Sequence, residues 1–356
     1  MNKSDSSNLI VKKNKKDLEI NNDILLSIII LVDDMGKFLD ETMSTFIKSS
    51  TKITSKVEII VAKFERKKNP KLNEKINSYS KLLPNFKFID WSFDNSSQAK
   101  AFSNAILDSK GKYIKLIKNN DYLVRESFPI LISILTKQSP DLLINNALIL
   151  NNDDRQLYVV DKFKNKYKEG NLKKMPKSYY PSLYLLTFKK SLINNIDLRN
   201  IPDSPWVFRM ISLNCISHAK NIYSTRSYVY AIRTYADKKV LFSSINTKMN
   251  ENNLSVLKLI IKNTDFSLKP TKLFSTKFLS IYLYNYLTSL NYVDKENWKK
   301  RYPALVKELK ENKTIKRNSL LSLKIKTQWG HSISFRKRKP IRTDITIKNA
   351  GYVDFL

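Results

Sequence analysis

The sequence is poor in the residues from which most metal and redox sites are built. It has one cysteine, Cys215, and two histidines, His218 and His331, among 356 residues. A single thiol excludes a disulfide within the chain. A Cys/His zinc site takes about four ligands, more than these three residues supply. Cys215 and His218 fall on a stretch that reads as a buried helix, where a lone thiol is expected to be a small core residue. The missing disulfides fit a reducing compartment. Glycine and proline are also scarce, at 5 and 11 residues, which excludes a collagen-like or linker-dominated chain. No long apolar run occurs. The longest, Ile24 to Val32, falls well short of the ~20 residues that span a bilayer. Residues 1–23 are polar, of mixed charge, and hold no apolar core of a secretory signal. The expectation is a cytoplasmic protein, free or resting peripherally on the inner face of the membrane.

Acidic residues are outnumbered: 32 Asp and Glu stand against 64 Lys and Arg, a formal net charge of +32. AT-biased coding enriches Lys, but it enriches Glu as well and does not explain the asymmetry. A charge this far from zero implies a polyanionic partner: nucleic acid, an anionic lipid surface or a phosphate-bearing polymer.

Apolar residues make up 42 % of the chain, enough for a sizeable core. Residues 1–23 read as a disordered tail. The run from Leu25 to Val32 reads as a strand buried on both faces, as in a parallel sheet. Phe38, Leu39, Thr42, Met43, Phe46 and Ile47 follow at helical spacing. Strands are then expected at 57–61, 86–91 and 113–117. A helix is expected between the first two of these, and another over 98–108, with Gly111 as its left-handed cap. The alternation predicts a doubly wound α/β sheet, whose ligands bind beyond the carboxyl ends of its strands. Further strands are expected at 142–150, 156–160, 184–188 and 228–232, and a helix at 205–217 opened by Pro205. Residues 241–316 read as helical, with Phe274, Phe278, Tyr282 and Tyr286 in a stripe expected to be buried. The basic segment 317–356, which contains Arg336 to Lys339, gives no choice between strand and disorder.

In this order, several segments resemble family 2 glycosyltransferases of the GT-A fold, in particular bacterial members that build or decorate cell-wall polymers such as teichoic acids. They are Ser27 to Val32 with Lys37 to Thr42; Asn104 to Leu107 with Gly111 to Ile114; Asp121-Tyr122-Leu123; and Thr187 to Ile193. The resemblance covers about residues 24–240 and implies a GT-A-type doubly wound mixed sheet, Rossmann-like, followed by a helical region. It also implies a chemistry: a divalent cation, Mn²⁺ or Mg²⁺, offsets the charge of a nucleotide-sugar diphosphate, and a carboxylate deprotonates the acceptor.

Placed on the family's motifs, this chain departs from them. The donor-holding motif falls on Val61 to Lys67, with Lys63 where acid is usual. The aromatic of the first loop falls on Asp33. The metal motif falls on Lys118-Asn119-Asn120-Asp121, so Asn120, a weaker oxygen donor for hard cations, replaces the usual ligand and Asp121 is the remaining acid. Lys118 either supplies the positive charge a metal would bring or marks simple loss of the site. The catalytic base falls on Ser204 to Phe208. Asp203, one residue earlier, is the candidate base, and the alternative for it is to cap the helix that Pro205 opens. Asn104 completes the donor shell. Arg125, Tyr230 and Arg233, the last two within a Y-x-Y-x-x-R-like segment, are the candidate anion or acceptor contacts.

Three degenerate motifs together predict a glycosyltransferase-like protein with impaired catalysis. Its expected role is that of a partner of an active transferase, or of an acceptor-binding subunit facing a polyanionic cell-wall polymer or anionic membrane. The alternative is an active enzyme with an altered, metal-independent donor site, so no cofactor follows with certainty. A nucleic-acid-binding role is the third reading. It rests on charge alone, without a motif, and specific nucleic-acid binding is not expected. The helical region either packs on the domain or forms an oligomer contact.

Overall fold

A computed structural model describes residues 24–33, 39–64, 70–91, 97–118, 121–151, 157–160, 170–172 and 182–234. It also describes a few helical positions between 252 and 263, and two short strands near the C-terminus. Strands β1 (Leu26–Val32), β2 (Val57–Lys63), β3 (Phe86–Asp90) and β4 (Tyr113–Ile117) alternate with helices α1 (Leu39–Ile47), α2 (Thr51–Thr54), α3 (Pro70–Leu82) and α4 (Gln98–Asp108). Then come β5 (Tyr122–Leu123), α5 (Phe128–Lys137), β6 (Leu142–Asn151), β7 (Leu157–Val160), β8 (Gly170–Leu172), β9 (Leu186–Lys189), α6 (Trp206–His218) and β10 (Ile222–Thr234).

One sheet takes the order β3-β2-β1-β4-β9-β6-β10-β5, with β7 on β6 and β8 on β10. β1 to β4 pair in parallel, β9 runs antiparallel to both β4 and β6, and β10 runs parallel to β6. The expected doubly wound mixed sheet is therefore the observed one. The chain winds outward from β1 to β3 and then returns to place β4 on the other side of β1. The crevice between the carboxyl ends of β1 and β4 is thus a topological switch point, the place where such sheets bind ligands.

Every residue of β1, β2 and β4 is buried, as continuous apolar runs covered on both faces require. The core joins these strands to Met43 and Phe46 of α1, Phe102 and Ile106 of α4, and Ile211 and Leu213 of α6. Cys215 lies within it, with no exposed surface and a thiol pushed up by burial. It is the inert core residue expected. Val256 and Ile260, helical and fully buried, bring the start of the 241–316 segment into the same core. The aromatic stripe at 274–286 lies outside the described residues. In the basic C-terminal segment β11 (Lys324–Lys326) and β12 (Ser332–Ser334) form an antiparallel pair.

Two expectations need correction, and one helix was not expected. Gly111 is not a left-handed cap. α4 ends at Ser109 with extended dihedrals, and Gly111 is not among the positive-φ residues. Glycine is needed there for close approach, because a Cβ would lie 2.3 Å from the backbone nitrogen of Ser27. The predicted strand at 184–188 opens as a 3-10 turn, Leu183–Leu185, and extends only from Leu186. The Tyr184 carbonyl is engaged by a buried lysine from β4. Finally, α5 forms where no helix is expected from the sequence. Its Phe-Pro-Ile-Leu-Ile-Ser-Ile-Leu run is apolar nearly throughout, so no polar face marks its period.

The amino edge of the sheet, where the parallel strands begin, is fastened by two carboxylates. Glu58 of β2 accepts from Ser27 Oγ at 2.6 Å and from the Lys110 N–H at 2.8 Å. Asp141 accepts from Lys189 Nζ at 2.6 Å and from the N–H groups of Lys220 and Asn221. Burial opposes ionisation of Asp141, but the Lys189 ammonium and the two N–H donors prevail and its pKa falls below the ordinary 3.8. Its contribution is therefore complete above the unfolded-state value and is lost as pH falls through the lower folded value. Unfolding measured by denaturant from pH 6 to pH 2 should show an acid limb that Asp141→Asn flattens, at a cost of about 1–2 kcal/mol at neutral pH.

Candidate functional site

At the carboxyl edge, parallel register sets Val32 of β1 beside Lys63 of β2, and Lys63 beside Asp90 of β3. Lys63 Nζ lies 3.2 Å from Asp90 Oδ2, with 5 % of the lysine side chain exposed. The lysine at the end of β2 is thus held in an ion pair by an acid on the neighbouring strand. Asp33, just after β1, is half-buried.

Beyond β4 the chain turns sharply, with the Asp121 N–H donating to the Lys118 carbonyl at 3.0 Å. Asp121 is buried, and both of its carboxylate oxygens accept from β10. Tyr230 donates its hydroxyl to Oδ2 at 2.8 Å, and the backbone N–H of Arg233 donates to Oδ1 at 3.0 Å. The Tyr230 hydroxyl in turn accepts from the Lys118 N–H at 3.0 Å. Burial, and then the Asp121 charge, push the Tyr230 phenol well up, which keeps it protonated as a donor. Helix α1 completes the arrangement. Thr42 Oγ1 donates to the Asp121 carbonyl at 2.9 Å, and Thr45 Oγ1 to the Leu123 carbonyl at 3.0 Å. The Arg233 guanidinium covers the Tyr122 ring, 4.9 Å from its centroid, and pairs with Glu41.

A second layer lies beneath. Tyr230 stacks on Tyr184 with centroids 5.9 Å apart. Lys118 Nζ sits 5.6 Å from the Tyr184 centroid, and Lys115 Nζ sits 5.3 Å from that of Tyr230. Lys115 has no exposed surface. Its ammonium is held by Asn145 Oδ1 at 2.9 Å and by the carbonyls of Tyr184 and Leu186 at 2.6 and 3.3 Å. All three acceptors are neutral, and burial pulls its pKa well down. A fully buried lysine without a carboxylate partner is the least expected group in the sheet.

The structure thus gathers Asp121, Lys118, Tyr230 and Arg233 into one cluster and places Lys63 on a neighbouring strand end. Asn104 is half-buried on α4, and Arg125 is exposed at the 3-10 turn after β5. Asn120 lies outside the described residues. Asp203 is exposed and does not cap α6. Ser204 Oγ accepts from the Trp206 N–H at 3.1 Å, while the Asp203 carbonyl accepts from Asn252. The hydroxyl one residue closer to the helix satisfies a donor of its first turn. Sequence reasoning missed Lys115, Tyr184, Glu41 and Asp90. Lys115 carried a signal, being the one charged residue in the strand Tyr-Ile-Lys-Leu-Ile, whereas Asp90 and Glu41 reach their partners only through strand register and helix docking.

The described residues offer few ligands to a divalent ion. Both oxygens of Asp121 face donors, an ammonium occupies position 118, and no cluster of three His, Cys, Asp or Glu side chains occurs among the described residues.

The mixed sheet and its switch-point crevice define a GT-A-type, Rossmann-like α/β fold. The solved structures it matches include S. aureus TarS residues 1–349, at a TM-score of 0.54 and 13 % identity over 83 % of this chain and 82 % of that one. The same TarS segment bound to UDP-GlcNAc matches at 0.55 and 14 %, over 81 % and 80 %. No family model matches the chain, and no curated protein matches it by sequence. Among the described residues no helix is long and apolar enough to cross a membrane.

Proposed function

We propose that this chain is a family 2-like glycosyltransferase homologue of bacterial surface-polysaccharide or teichoic-acid synthesis, with metal-dependent donor chemistry impaired. It acts as an acceptor-binding subunit or as the partner of an active transferase. The observation carrying this reading is Asp121: the acid remaining in the metal motif spends both oxygens on Tyr230 and Arg233. Support for the class comes from the fold shared with TarS, one structure of which holds UDP-GlcNAc.

One observation favours a second reading, an active enzyme that binds its donor without metal. Lys118 lies at the end of β4, against Tyr184 and beside the crevice, where an ammonium offsets diphosphate charge. Calorimetric titration of UDP, CDP, GDP and UDP-GlcNAc, each with and without Mn²⁺, separates the two. The impaired reading expects no metal-dependent binding and no turnover. Metal-independent binding of one nucleotide that Lys118→Ala weakens at least tenfold, together with sugar transfer, would establish the second reading. Micromolar binding that requires Mn²⁺ would overturn both.

A further inference from the structure

We infer that the amino edge of the sheet, opposite the candidate site, is a docking surface for an acidic phospholipid membrane. Lys56, Lys110 and Lys112 precede β2 and β4, Lys137 ends α5, and Lys220 precedes β10. All five are exposed, and none has a carboxylate within ion-pair distance among the described residues. The acids of this edge are already engaged: Glu58 and Asp141 internally, as described, and Asp108 by Lys87 at 3.2 Å.

Backbone hydrogen bonds join the strand starts that carry Lys56, Lys112 and Lys220. The Leu25 N–H bonds the Lys56 carbonyl, and the Lys112 N–H bonds that of Ile24. The Lys190 N–H bonds the Lys112 carbonyl, the Lys189 N–H that of Asp141, and the Asp141 N–H that of Asn221. Backbone hydrogen bonds thus run across the edge from Lys56 to the neighbour of Lys220. A helix macrodipole accounts for Lys137 in the last turn of α5, but not for Lys56, Lys110 and Lys112, which lie outside helices. The carboxyl edge differs, since Asp33, Asp40, Glu41, Asp90, Asp121 and Glu126 all lie there.

Aliphatic side chains select lipid over a soluble polyanion. Four large hydrophobic residues are exposed among those described, and three of them end helices on this edge: Ile47 on α1, Leu82 on α3 and Leu107 on α4, with Leu82 60 % exposed. A phosphate polymer offers these side chains nothing, whereas the boundary between headgroups and acyl chains accepts them beside lysines. The site edge lies about 20 Å away, one strand length, so the bound surface leaves the crevice open to the solvent side.

The test is flotation of the full chain with vesicles of phosphatidylglycerol and phosphatidylcholine, against phosphatidylcholine alone. Binding is expected only to the anionic vesicles. Changing Lys56, Lys112 and Lys220 together to Gln should weaken partition about 100-fold, roughly fivefold for each lysine. Leu82→Ser with Leu107→Ser should weaken it about tenfold or more. All five positions are exposed, and unchanged thermal unfolding confirms that the variants fold. No binding to anionic vesicles, or binding that survives the triple lysine change, would overturn the inference. So would vesicle binding that is insensitive to the leucine changes and competed away by soluble polyphosphate, an outcome that assigns the edge to a polymer. Nucleotide binding plays no part in this readout, so its result stands apart from the proposed function.

Discussion

Gly111→Ala is expected to be the most damaging small substitution in the domain, lowering stability by about 3 kcal/mol or more. The added Cβ would meet Ser27 N at 2.3 Å, Ser27 Oγ at 2.5 Å and the Leu26 carbonyl carbon at 2.8 Å. Two of these atoms are backbone of β1, whose seven residues are all buried. Relief therefore means moving a central strand or breaking the Gly111 N–H bond to Ser27 Oγ, 2.8 Å long, along with its coupling to Glu58. Denaturant unfolding measures the loss. The double variant Ser27→Ala with Gly111→Ala separates the causes. It removes the hydroxyl contact but leaves the contact with the backbone nitrogen, so stability should not recover. Recovery would show that the hydroxyl, and not strand approach, fixes this position.

The second large effect concerns Asp121. Asp121→Ala should cost about 3 kcal/mol, because it leaves the Tyr230 hydroxyl and the Arg233 N–H without their acceptor inside the protein. Tyr230→Phe should cost about 1–2 kcal/mol, since it strips a donor from Asp121 and an acceptor from the Lys118 N–H. Asp121→Asn keeps one acceptor oxygen and should be the mildest of the three. A residue serving only as a metal ligand predicts a different pattern: little change in unfolding and complete loss of metal-dependent nucleotide binding in Asp121→Asn. Unfolding curves and nucleotide titrations on the same three variants distinguish a structural latch from a ligand. The latch joins α1, β5 and β10 through Thr42, Asp121, Tyr230 and Arg233, so its loss should loosen the crevice floor as a unit.

Much of the architecture was legible because it rests on local chemistry. The run Leu-Ser-Ile-Ile-Ile-Leu-Val has no polar face and suits only a strand covered on both sides. α4 was read over its full length, Gln98–Asp108, while its cap, the Ser97 hydroxyl accepting from the Lys100 N–H, came only from the structure. The carboxyl edge as the place to seek a site followed from the alternation of strands and helices alone. α5 escaped because it has no polar face, and Gly111 was misread because a glycine after a helix is usually a cap. Only the neighbouring strand reveals the close approach.

The sequence by itself determined the alternating α/β plan and the strong positive charge. Each of these follows from residue identity and short-range spacing. Tertiary structure alone decided where the charges act. Strand register gave Lys63 its partner in Asp90, 27 residues away. The return of β10 brought Tyr230 to Asp121 across 109 residues. It also decided that Lys115 is sealed among neutral acceptors, and that lysines from four separate connections share one edge. Contacts of this kind depend on which strands become neighbours, and that is fixed by burial of the whole core rather than by any local run of residues.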